Sequence, residues 1–326
     1  MSNKFLEVRN LEVQYVLRDE TIYAVNDVSF SLDKGRTLGL VGETGAGKTS
    51  IARAILRILP VPPSEVKNGS ILLEGKDLYS ITENEMYEIR GNVITMIFQD
   101  PMTALNPVKT IGRQIAETIT LHNKHLGKRE IRSRAEAMLE LVGIPSERYD
   151  EYPHQFSGGM KQRVVIAISL ACDPDLLIAD EPTTALDVTI QAQVLDLIRD
   201  LREKKNTAMI LISHDLGVVA EMCDYVAIIY AGEIVEYGTL EDVFDRTCHP
   251  YTQGLFNSLP DANTDTSTRL KPIAGMPPDP TEILPGCKFS PRCPHATEQC
   301  RNTSVALIEI ESGHFCRCVA DRLTEA

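Results

Sequence analysis

A glycine-rich stretch between a short apolar run and a helical run carries residue types that bind phosphate. Residues 42–49 read Gly-Glu-Thr-Gly-Ala-Gly-Lys-Thr and fit the spacing G-x-x-x-x-G-K-[ST]. Glycines let backbone N–H groups curl around phosphate oxygens without Cβ clashes, and the dipole of the following helix attracts the anion. Lys48 supplies a charge for the β- and γ-phosphates, Thr49 a hydroxyl for Mg²⁺ and Ser50 a hydroxyl for the α-phosphate. The candidate nucleotide-binding residues on this loop are Gly42, Thr44, Gly45, Ala46, Gly47, Lys48, Thr49 and Ser50.

Two adjacent carboxylates follow a second apolar run, Leu176–Ala179. Paired acids at the end of a buried strand are costly unless they have a task. Asp180 can hold the Mg²⁺ shell, and Glu181 can polarise an attacking water as a general base. Alone, this pair would be interpreted as a solvated acidic loop. With a phosphate-binding loop upstream, it favours a site that hydrolyses nucleotides.

Further motifs follow in an order that resembles the ATPases of ABC transporters. Residues 156–163 read Phe-Ser-Gly-Gly-Met-Lys-Gln-Arg and are similar to the signature motif of that family. Gln99 resembles the Q-loop glutamine, Asp187 the end of the D-loop and His214 the switch histidine. Tyr15, on the first predicted strand, is the best match for the aromatic residue that stacks on adenine. Each residue alone has an ordinary explanation, and it is their order and spacing that make the resemblance specific.

The resemblance covers about residues 5–245 and implies a role for each motif. In this family two subunits meet head to tail, so Ser157, Gly158 and Gly159 would contact the ATP bound by the partner subunit. Hydrolysis would then be catalysed by positioning and by electrostatic stabilisation of phosphoryl transfer. The implied catalytic residues are Glu181, His214 and Gln99, the implied Mg²⁺ ligands are Thr49, Gln99 and Asp180, and the implied D-loop residue is Asp187.

Three details narrow the resemblance to ATPase subunits of bacterial dipeptide and oligopeptide importers. The signature begins Phe-Ser-Gly-Gly-Met, residues 100–107 read Asp-Pro-Met-Thr-Ala-Leu-Asn-Pro, and residues 249–252 read His-Pro-Tyr-Thr. The match then continues through the cysteine-containing run 286–300. It implies a subunit that hydrolyses ATP to power peptide import through two transmembrane permeases, with a homologous second ATPase as homo- or heterodimer partner. It also implies a peripheral position on the cytoplasmic face of the membrane and, indirectly, an extracytoplasmic binding protein.

Three alternative functions can be compared with this interpretation by the motifs and charge that each predicts. Relatives vary in substrate, so nickel or a glycan in place of a peptide stays open. A soluble ABC ATPase acting on a macromolecular complex predicts duplicated cassettes, a long coiled-coil insert and basic surfaces. This chain has one set of motifs, and its 33 basic against 46 acidic residues give a net charge of −13, which argues against nucleic-acid binding. A regulatory subunit with a dead site predicts a missing base, whereas Glu181 is present.

The cysteines point to a second chemistry near the carboxyl end. Of the eight cysteines, five fall in the last 40 residues, and in a cytosolic protein such clustering favours a metal over disulfides. Four thiolates can hold a [4Fe–4S] cluster or Zn²⁺, and a structural role is expected because a short Pro-rich tail has little core. The importer resemblance puts the fourth ligand four residues after His314, at Cys318, although by chemistry alone Cys316 serves nearly as well. The predicted ligands are Cys287, Cys293, Cys300 and Cys318.

The elements that must position these residues follow from hydrophobic periodicity. Near-alternation over Leu6–Tyr15 and Val25–Leu32 predicts an antiparallel β layer, and a helix is expected over Ser50–Leu59, ending at Pro60. Region 103–166 carries amphipathic helical runs with little strand character. Strands alternate with helices from Leu176 onward, which predicts a sheet covered on both faces. The predicted later elements are strands at Leu176–Ala179, Ala208–Ile212 and Val226–Tyr230 and helices at Ile111–Leu121, Arg129–Val142 and Thr189–Lys204.

The predicted fold class is therefore α/β. The resemblance implies an ABC-type nucleotide-binding domain with a RecA-like core, an antiparallel β layer and an inserted helical subdomain, plus a small cysteine-rich C-terminal extension. We expect the core at residues 1–100 and 160–245, the helical subdomain with the signature at its end at 101–159, and the extension at 246–326. Residues Pro260–Pro280 are interpreted as a linker because they are rich in Thr, Asp and Pro.

The sequence offers no candidate for membrane insertion. No apolar run approaches the roughly 18–20 residues that a spanning helix needs, and residues 1–10 lack a basic segment followed by an apolar one. We therefore expect a cytosolic chain unless a partner docks it to a membrane.

Overall fold

The computed structural model describes residues 4–183, 187–258 and 272–319. Much of the predicted linker Pro260–Pro280 and the start of the predicted D-loop lie outside these ranges. In chain order the strands and helices are β1 (Leu6–Val16), β2 (Thr21–Leu32), β3 (Thr37–Val41), α1 (Lys48–Ile55), β4 (Ser64–Leu73), β5 (Lys76–Asp77), α2 (Glu83–Ile89), β6 (Ile94–Ile97), α3 (Pro101–Ala104), α4 (Ile111–His122), α5 (Lys128–Leu141), α6 (Gly158–Leu170), β7 (Leu176–Asp180), α7 (Val188–Lys205), β8 (Ala208–Ser213), α8 (Leu216–Met222), β9 (Tyr225–Tyr230), β10 (Glu233–Thr239), α9 (Leu240–Asp245), α10 (Pro250–Asn257), α11 (Glu298–Asn302), β11 (Ile308–Glu311) and β12 (His314–Cys316).

The chain divides into two compact units, each built from separated segments. Unit 1 contains the described residues of Met1–Phe5, Leu32–Thr37 and Lys76–Ile212. Unit 2 contains those of Leu6–Ser31, Leu38–Gly75 and Ser213–Ala326.

Unit 1 is built on three parallel strands in the order β8-β7-β6. Every residue of these three strands is buried, and the runs are mostly apolar rather than alternating. This is the pattern of a parallel sheet that is covered on both faces. The carboxyl ends of β6 and β7 coincide, since Ile97 pairs with Ala179. Residues that follow these two strands are therefore neighbours.

The helical part of unit 1 lies between β6 and β7. The predicted helices at Ile111–Leu121 and Arg129–Val142 are confirmed as α4 and α5. The buried residues of α4 include Ile111, Ile115 and Ile119, which recur every fourth position and so share one face. Two short 3₁₀ turns then lead to α6. This segment contains no strand among its described residues, as the sequence predicts.

The amino-terminal strands of unit 2 form the expected antiparallel layer, in the order β2-β1-β4. Leu6, Val8, Leu11 and Val13 of β1 are all buried. Their spacing widens from two to three residues between Val8 and Leu11, because the register with β4 shifts over residues 9–12. Such a bulge re-aims the following side chains, which explains why the apolar period is imperfect in the sequence.

A second sheet of unit 2 has the order β11-β12-β10-β9-β3. β3 and β9 are parallel, whereas β9 and β10 are antiparallel. The hairpin β11–β12, from the last described segment of the chain, adds to the edge of β10. Glu236 of β10 is fully buried and accepts hydrogen bonds from the backbone N–H groups of Cys248 and His249, and its carboxylate lies 3.0 Å from Nε2 of His314. This buried network fixes the hairpin to the sheet.

The first helix is shorter than predicted. The expected helix Ser50–Leu59 is found as Lys48–Ile55, so the prediction of a helix reaching Pro60 is wrong. Leu56 caps the helix, and Arg57 has a left-handed backbone with φ 52°. That conformation cannot continue a right-handed helix, so the chain leaves it before the proline is reached.

Candidate functional site

The phosphate-binding motif connects β3 to α1 within unit 2. β3 is entirely buried, and the chain turns through residues 42–47 before the helix begins at Lys48. Gly47 caps the helix with φ 102°, and a Cβ at this position would clash with the carbonyl oxygen of Ala24. Only glycine fits both demands. The strand–loop–helix context predicted for this motif is therefore present, with the helix amino terminus at the loop.

Lys48 folds back over the loop. Its side chain is 6% exposed, and its Nζ donates to the carbonyl oxygens of Gly42 at 2.7 Å and Glu43 at 3.0 Å. The ammonium group is thus held inside the curl of the loop, where a phosphate would be bound. Thr44 and Gly45 at the tip are exposed and Ala46 is buried.

Tyr15 lies close to the start of α1. Its hydroxyl is 3.0 Å from the Ser50 Oγ, and both side chains are partly exposed. The residue predicted to stack on adenine and a residue predicted to reach the α-phosphate are therefore neighbours. Thr49, the predicted Mg²⁺ ligand, is half-buried between Lys48 and Ser50.

The predicted acids of unit 1 lie at the carboxyl end of β7. Asp180 is 3% exposed, and Glu181 turns out of the strand with φ 48°. Gln99 follows β6, and its Nε2 donates to Oε2 of Glu181 at 2.8 Å. Sequence reasoning placed these residues in separate motifs 82 positions apart, and the parallel pairing of β6 with β7 brings them together.

The signature residues lie at the amino end of α6. Ser157 caps this helix by accepting a hydrogen bond from the Met160 N–H, and Gly158 is exposed in the first turn. Gly159, next in that turn, is half-buried. The preceding Phe156 is buried under the Arg148 guanidinium, 4.2 Å from the ring centroid. The residues predicted to contact a second nucleotide thus surround a helix amino terminus, where N–H groups favour an anion.

Of the two remaining predicted residues, one lies at the start of a helix and the other directly after a strand. Asp187 caps α7, with its carboxylate accepting from the Ile190 N–H at 2.9 Å. The first three residues of the predicted D-loop, 184–186, lie outside the described residues. His214 follows β8 and is exposed.

Four cysteines of the C-terminal segment line one small cavity of unit 2. The backbone N–H of Cys287 donates to the carbonyl oxygen of Cys300 at 2.7 Å, which joins two parts of the motif. Burial, with a smaller contribution from the neighbouring thiols, raises the pKa of Cys287 to about 11. The four are the cysteines predicted as ligands: Cys287, Cys293, Cys300 and Cys318.

Cys316 has a different partner. It forms a disulfide with Cys248, a pairing that the sequence analysis does not predict. The pairing follows from the sheet: Cys316 lies opposite Glu236, and Glu236 accepts a hydrogen bond from the Cys248 N–H. Across the described ranges, no three His, Cys, Asp or Glu side chains are grouped closely enough to hold a single metal ion.

Sequence reasoning missed several residues that support the site. Gln162 of α6 is 1% exposed, and its Nε2 donates to the carbonyl oxygen of Pro182, just after Glu181. Glu43, inside the phosphate-binding loop, contacts Arg292 and Tyr251 of the C-terminal segment. The sequence did contain a signal for Glu43, because an acidic residue is unusual within a loop that binds anions. Its partners lie more than 200 positions away, and no sequence pattern links them to the loop.

Comparison with known families and proteins is consistent with these features. A family model described as ABC transporter matches residues 25–184, and one described as Oligopeptide/dipeptide transporter, C-terminal region, matches residues 235–300. The chain is 49% identical over 315 residues to the oligopeptide transport ATP-binding protein AppD of Bacillus subtilis, covering 96% of this chain and 95% of that protein. It is 50% identical over 299 residues to the dipeptide transport ATP-binding protein DppD of the same organism, covering 91% and 89%.

Solved structures share the fold. A dimeric ATP-binding cassette, MJ0796, bound to ADP and Pi, has a TM-score of 0.65 at 24% identity and covers 72% of this chain and 98% of its own. The protein cbiO1 from Clostridium perfringens, part of the ABC transporter complex cbiONQ, has a TM-score of 0.63 at 26% identity and covers 75% and 92%. The predicted cassette fold is thereby confirmed. In the part of the chain that the structure describes, no helix has the length and apolar character to cross a bilayer.

Proposed function

The chain belongs to the family of ATP-binding subunits of oligopeptide and dipeptide ABC transporters, and from this premise we propose that it hydrolyses ATP to power peptide import. The substrate would cross the cytoplasmic membrane through partner permeases. The observation that carries the hydrolytic part is the 2.8 Å hydrogen bond between Gln99 and Glu181, which joins two motif residues at the ends of parallel strands. The likeness to peptide-transport subunits over nearly the whole chain supports the transport part.

The phosphate-binding loop is the proposed ATP site. Lys48 would donate to the β- and γ-phosphates in place of the two loop carbonyls that it now contacts, and Tyr15 would stack on the adenine. The family resemblance assigns Mg²⁺ to Thr49, Gln99 and Asp180. These residues fit the ion, because hydroxyl, amide and carboxylate oxygens are the hard ligands that Mg²⁺ prefers. When bound, the ion supplies positive charge to the phosphates.

Hydrolysis is proposed to depend on Glu181 as the base. Its carboxylate would accept a proton from the attacking water, and the Gln99 amide, already bonded to it, would orient that carboxylate and the water. His214 would contact the γ-phosphate. The chain's contribution is then to hold the water and the phosphate in line and to stabilise the developing charge.

A second ATPase subunit is the proposed partner for the signature residues. Ser157, Gly158 and Gly159 begin α6, whose exposed N–H groups suit the γ-phosphate of a nucleotide bound elsewhere. Asp187 would lie in the same dimer contact. The solved cassette MJ0796 is itself described as dimeric. A head-to-tail pair, identical or homologous, is what the family resemblance implies for this chain.

The C-terminal segment is proposed to hold a [4Fe–4S] cluster, with Zn²⁺ as the alternative. Cys287, Cys293, Cys300 and Cys318 line one cavity, and thiolates are ligands for either group. No three of these side chains are close enough in this structure to hold a single ion, so Zn²⁺ would require them to move together. Cys316 is engaged with Cys248, which favours Cys318 as the fourth ligand. The group would supply rigidity to a segment with little apolar core.

The remaining assignments follow the family. Residues 1–100 and 160–245 are proposed as the ATP-binding core, 101–159 as the helical subdomain and 246–326 as a C-terminal extension. The subunit would dock to two permeases at the cytoplasmic face of the membrane, and an extracytoplasmic protein would deliver the substrate.

Transport by the reconstituted complex tests this proposal. The chain, its permeases and second ATPase are placed in proteoliposomes with the binding protein, and uptake of labelled di- and oligopeptides is measured with and without ATP. ATP-dependent peptide uptake is expected. Uptake of nickel or a glycan without peptide uptake would overturn the substrate assignment.

Optical spectroscopy tests the cluster. Anaerobically purified protein should be brown, with visible absorbance that oxidation or chelation removes. A colourless protein with stoichiometric zinc would contradict the iron–sulfur assignment.

A further inference from the structure

An ion pair links the C-terminal segment to the inside of the phosphate-binding loop. Arg292 Nη1 donates to Oε1 and Oε2 of Glu43 at 3.1 and 3.0 Å. The two residues are 249 positions apart, and their side chains are 6% and 28% exposed. Because the arginine is withdrawn from solvent, this pair is stronger than an ordinary surface ion pair.

The arginine is itself fixed from several sides. Its guanidinium donates to the Tyr230 hydroxyl at 3.3 Å and to the carbonyl oxygens of Ala274 and Ile273 at 3.0 and 3.4 Å. It also lies over the rings of Tyr230 and Phe289. Burial opposes the charge, but the hydrogen bonds to Glu43 and Tyr230 outweigh it and raise the pKa of Arg292. The cation is therefore held in one orientation, aimed at Glu43.

Glu43 is held by its backbone as well. Its N–H donates to the hydroxyl of the fully buried Tyr251 at 3.1 Å, and its carbonyl oxygen accepts from Lys48 Nζ at 3.0 Å. The C-terminal segment thus contacts the same residue that holds the ammonium group of the loop. A shift of Glu43 would shift the Lys48 contact with it.

The charge of Glu43 needs compensation. A carboxylate in a loop that binds phosphates repels them, and this repulsion grows when both groups are partly shielded from water. Arg292 supplies the opposite charge at hydrogen-bond distance. Without it, the loop would present an uncompensated anion beside the nucleotide.

We propose that Arg292 is a positioning residue of the ATP site, which neutralises Glu43 and fixes the phosphate-binding loop, so that the C-terminal segment sets the affinity for nucleotide. This inference rests on the proposed ATP site. It depends neither on the transported substrate nor on the metal.

The test is ATP binding and steady-state hydrolysis by the purified full-length chain with Mg²⁺. Arg292→Ala should raise the Kd and KM for ATP about 10-fold while kcat changes less than about 2-fold, because the chemistry at Glu181 is untouched. Arg301→Ala is the matched control, since this exposed arginine follows Cys300 in the same segment. The control variant should leave the Kd and KM for ATP unchanged.

A second substitution separates charge compensation from a general structural role. Glu43→Gln in the Arg292→Ala background should recover most of the lost affinity, because the uncompensated anion is gone. Arg292→Lys keeps the charge but loses the planar guanidinium that also donates to the Ala274 and Ile273 carbonyl oxygens, and it should weaken binding about 3-fold. This variant provides a test if Arg292→Ala fails to fold.

Two results would overturn the inference. One is native ATP affinity in Arg292→Ala, and the other is an Arg292→Ala, Glu43→Gln double variant that binds as weakly as Arg292→Ala alone. Lys48→Ala separates this failure from failure of the proposed ATP site. If Lys48→Ala also binds ATP normally, the site itself is wrong, whereas weakened binding by Lys48→Ala alone rejects only the role of Arg292.

Discussion

The acids at the end of β7 and the phosphate-binding loop are positioned by different forces. Asp180 ends, and Glu181 directly follows, a strand paired on both sides by parallel neighbours, so backbone hydrogen bonds determine where both residues lie. The Glu181 N–H itself donates to the Ile212 carbonyl oxygen at 2.9 Å. A substitution at Asp180 or Glu181 should therefore change the chemistry of the site, while the backbone hydrogen bonds of β7 maintain its geometry.

The phosphate-binding loop has no such ladder over residues 42–47. Its shape depends on Lys48 reaching back to loop carbonyls and on Arg292 and Tyr251 holding Glu43 from the C-terminal segment. Substitutions far away in sequence should therefore change nucleotide affinity. The contrast predicts kcat effects at the strand ends and binding effects around the loop.

The largest expected effect tests the strand end. Glu181→Gln retains an oxygen that can accept from Gln99 but removes the base, so kcat should fall about 10²- to 10⁴-fold while ATP affinity stays within about 2-fold. An ATP-bound dimer should also accumulate. Steady-state ATPase assays, nucleotide binding and size-exclusion chromatography measure these outcomes. The exposed Glu147→Gln is the control in the same unit, and unchanged hydrolysis by Glu181→Gln would refute its role as base.

Lys48→Ala tests the loop directly. It removes a charged donor for the phosphates and the bonds to Gly42 and Glu43, so the Kd for ATP should rise about 10- to 100-fold. Isothermal calorimetry or a fluorescent nucleotide measures the change. The exposed Lys67→Ala provides the control. Native affinity in Lys48→Ala would mean that the nucleotide binds at another loop.

The sequence predicts the loop well because its information is local. Six consecutive residues connect the strand to the helix, and their backbone conformation requires glycine at position 47. The motif includes this glycine, so the conformation of the loop can be predicted from the motif. The apolar runs likewise predict β7 and β8, since buried parallel strands leave no alternation to misread. The predicted end of α1 is wrong because the left-handed turn at Arg57 precedes the obvious breaker, Pro60.

The C-terminal contacts could not be predicted because they join distant segments. The Cys248–Cys316 disulfide requires knowing that the last hairpin pairs with β10, and the Arg292–Glu43 pair spans most of the chain. By contrast, the four cysteines that line one cavity were predicted as a set from their spacing and the family resemblance.

Cys293→Ser tests whether the cysteine cavity affects the phosphate-binding loop, since Cys293 directly follows Arg292. If a cluster orders this turn, the variant should lose visible absorbance and raise the Kd for ATP roughly 5-fold. Absorbance and nucleotide binding on the same sample measure both. Cys172→Ser, in unit 1, is the control, and Arg292→Ala should keep the absorbance while losing affinity. Lost absorbance with native ATP affinity would uncouple the metal from the loop.

Tyr251→Phe gives the smallest expected effect and isolates one contact. Burial raises the pKa of Tyr251, so its hydroxyl stays protonated at neutral pH and accepts from the Glu43 N–H through an oxygen lone pair. Removing the oxygen should raise the Kd for ATP about 2- to 5-fold with kcat unchanged, because only one neutral hydrogen bond is lost. The exposed Tyr87→Phe serves as control. A fall in kcat at native affinity would mean that the C-terminal segment acts on the chemistry rather than on binding, and the division between strand end and loop would fail.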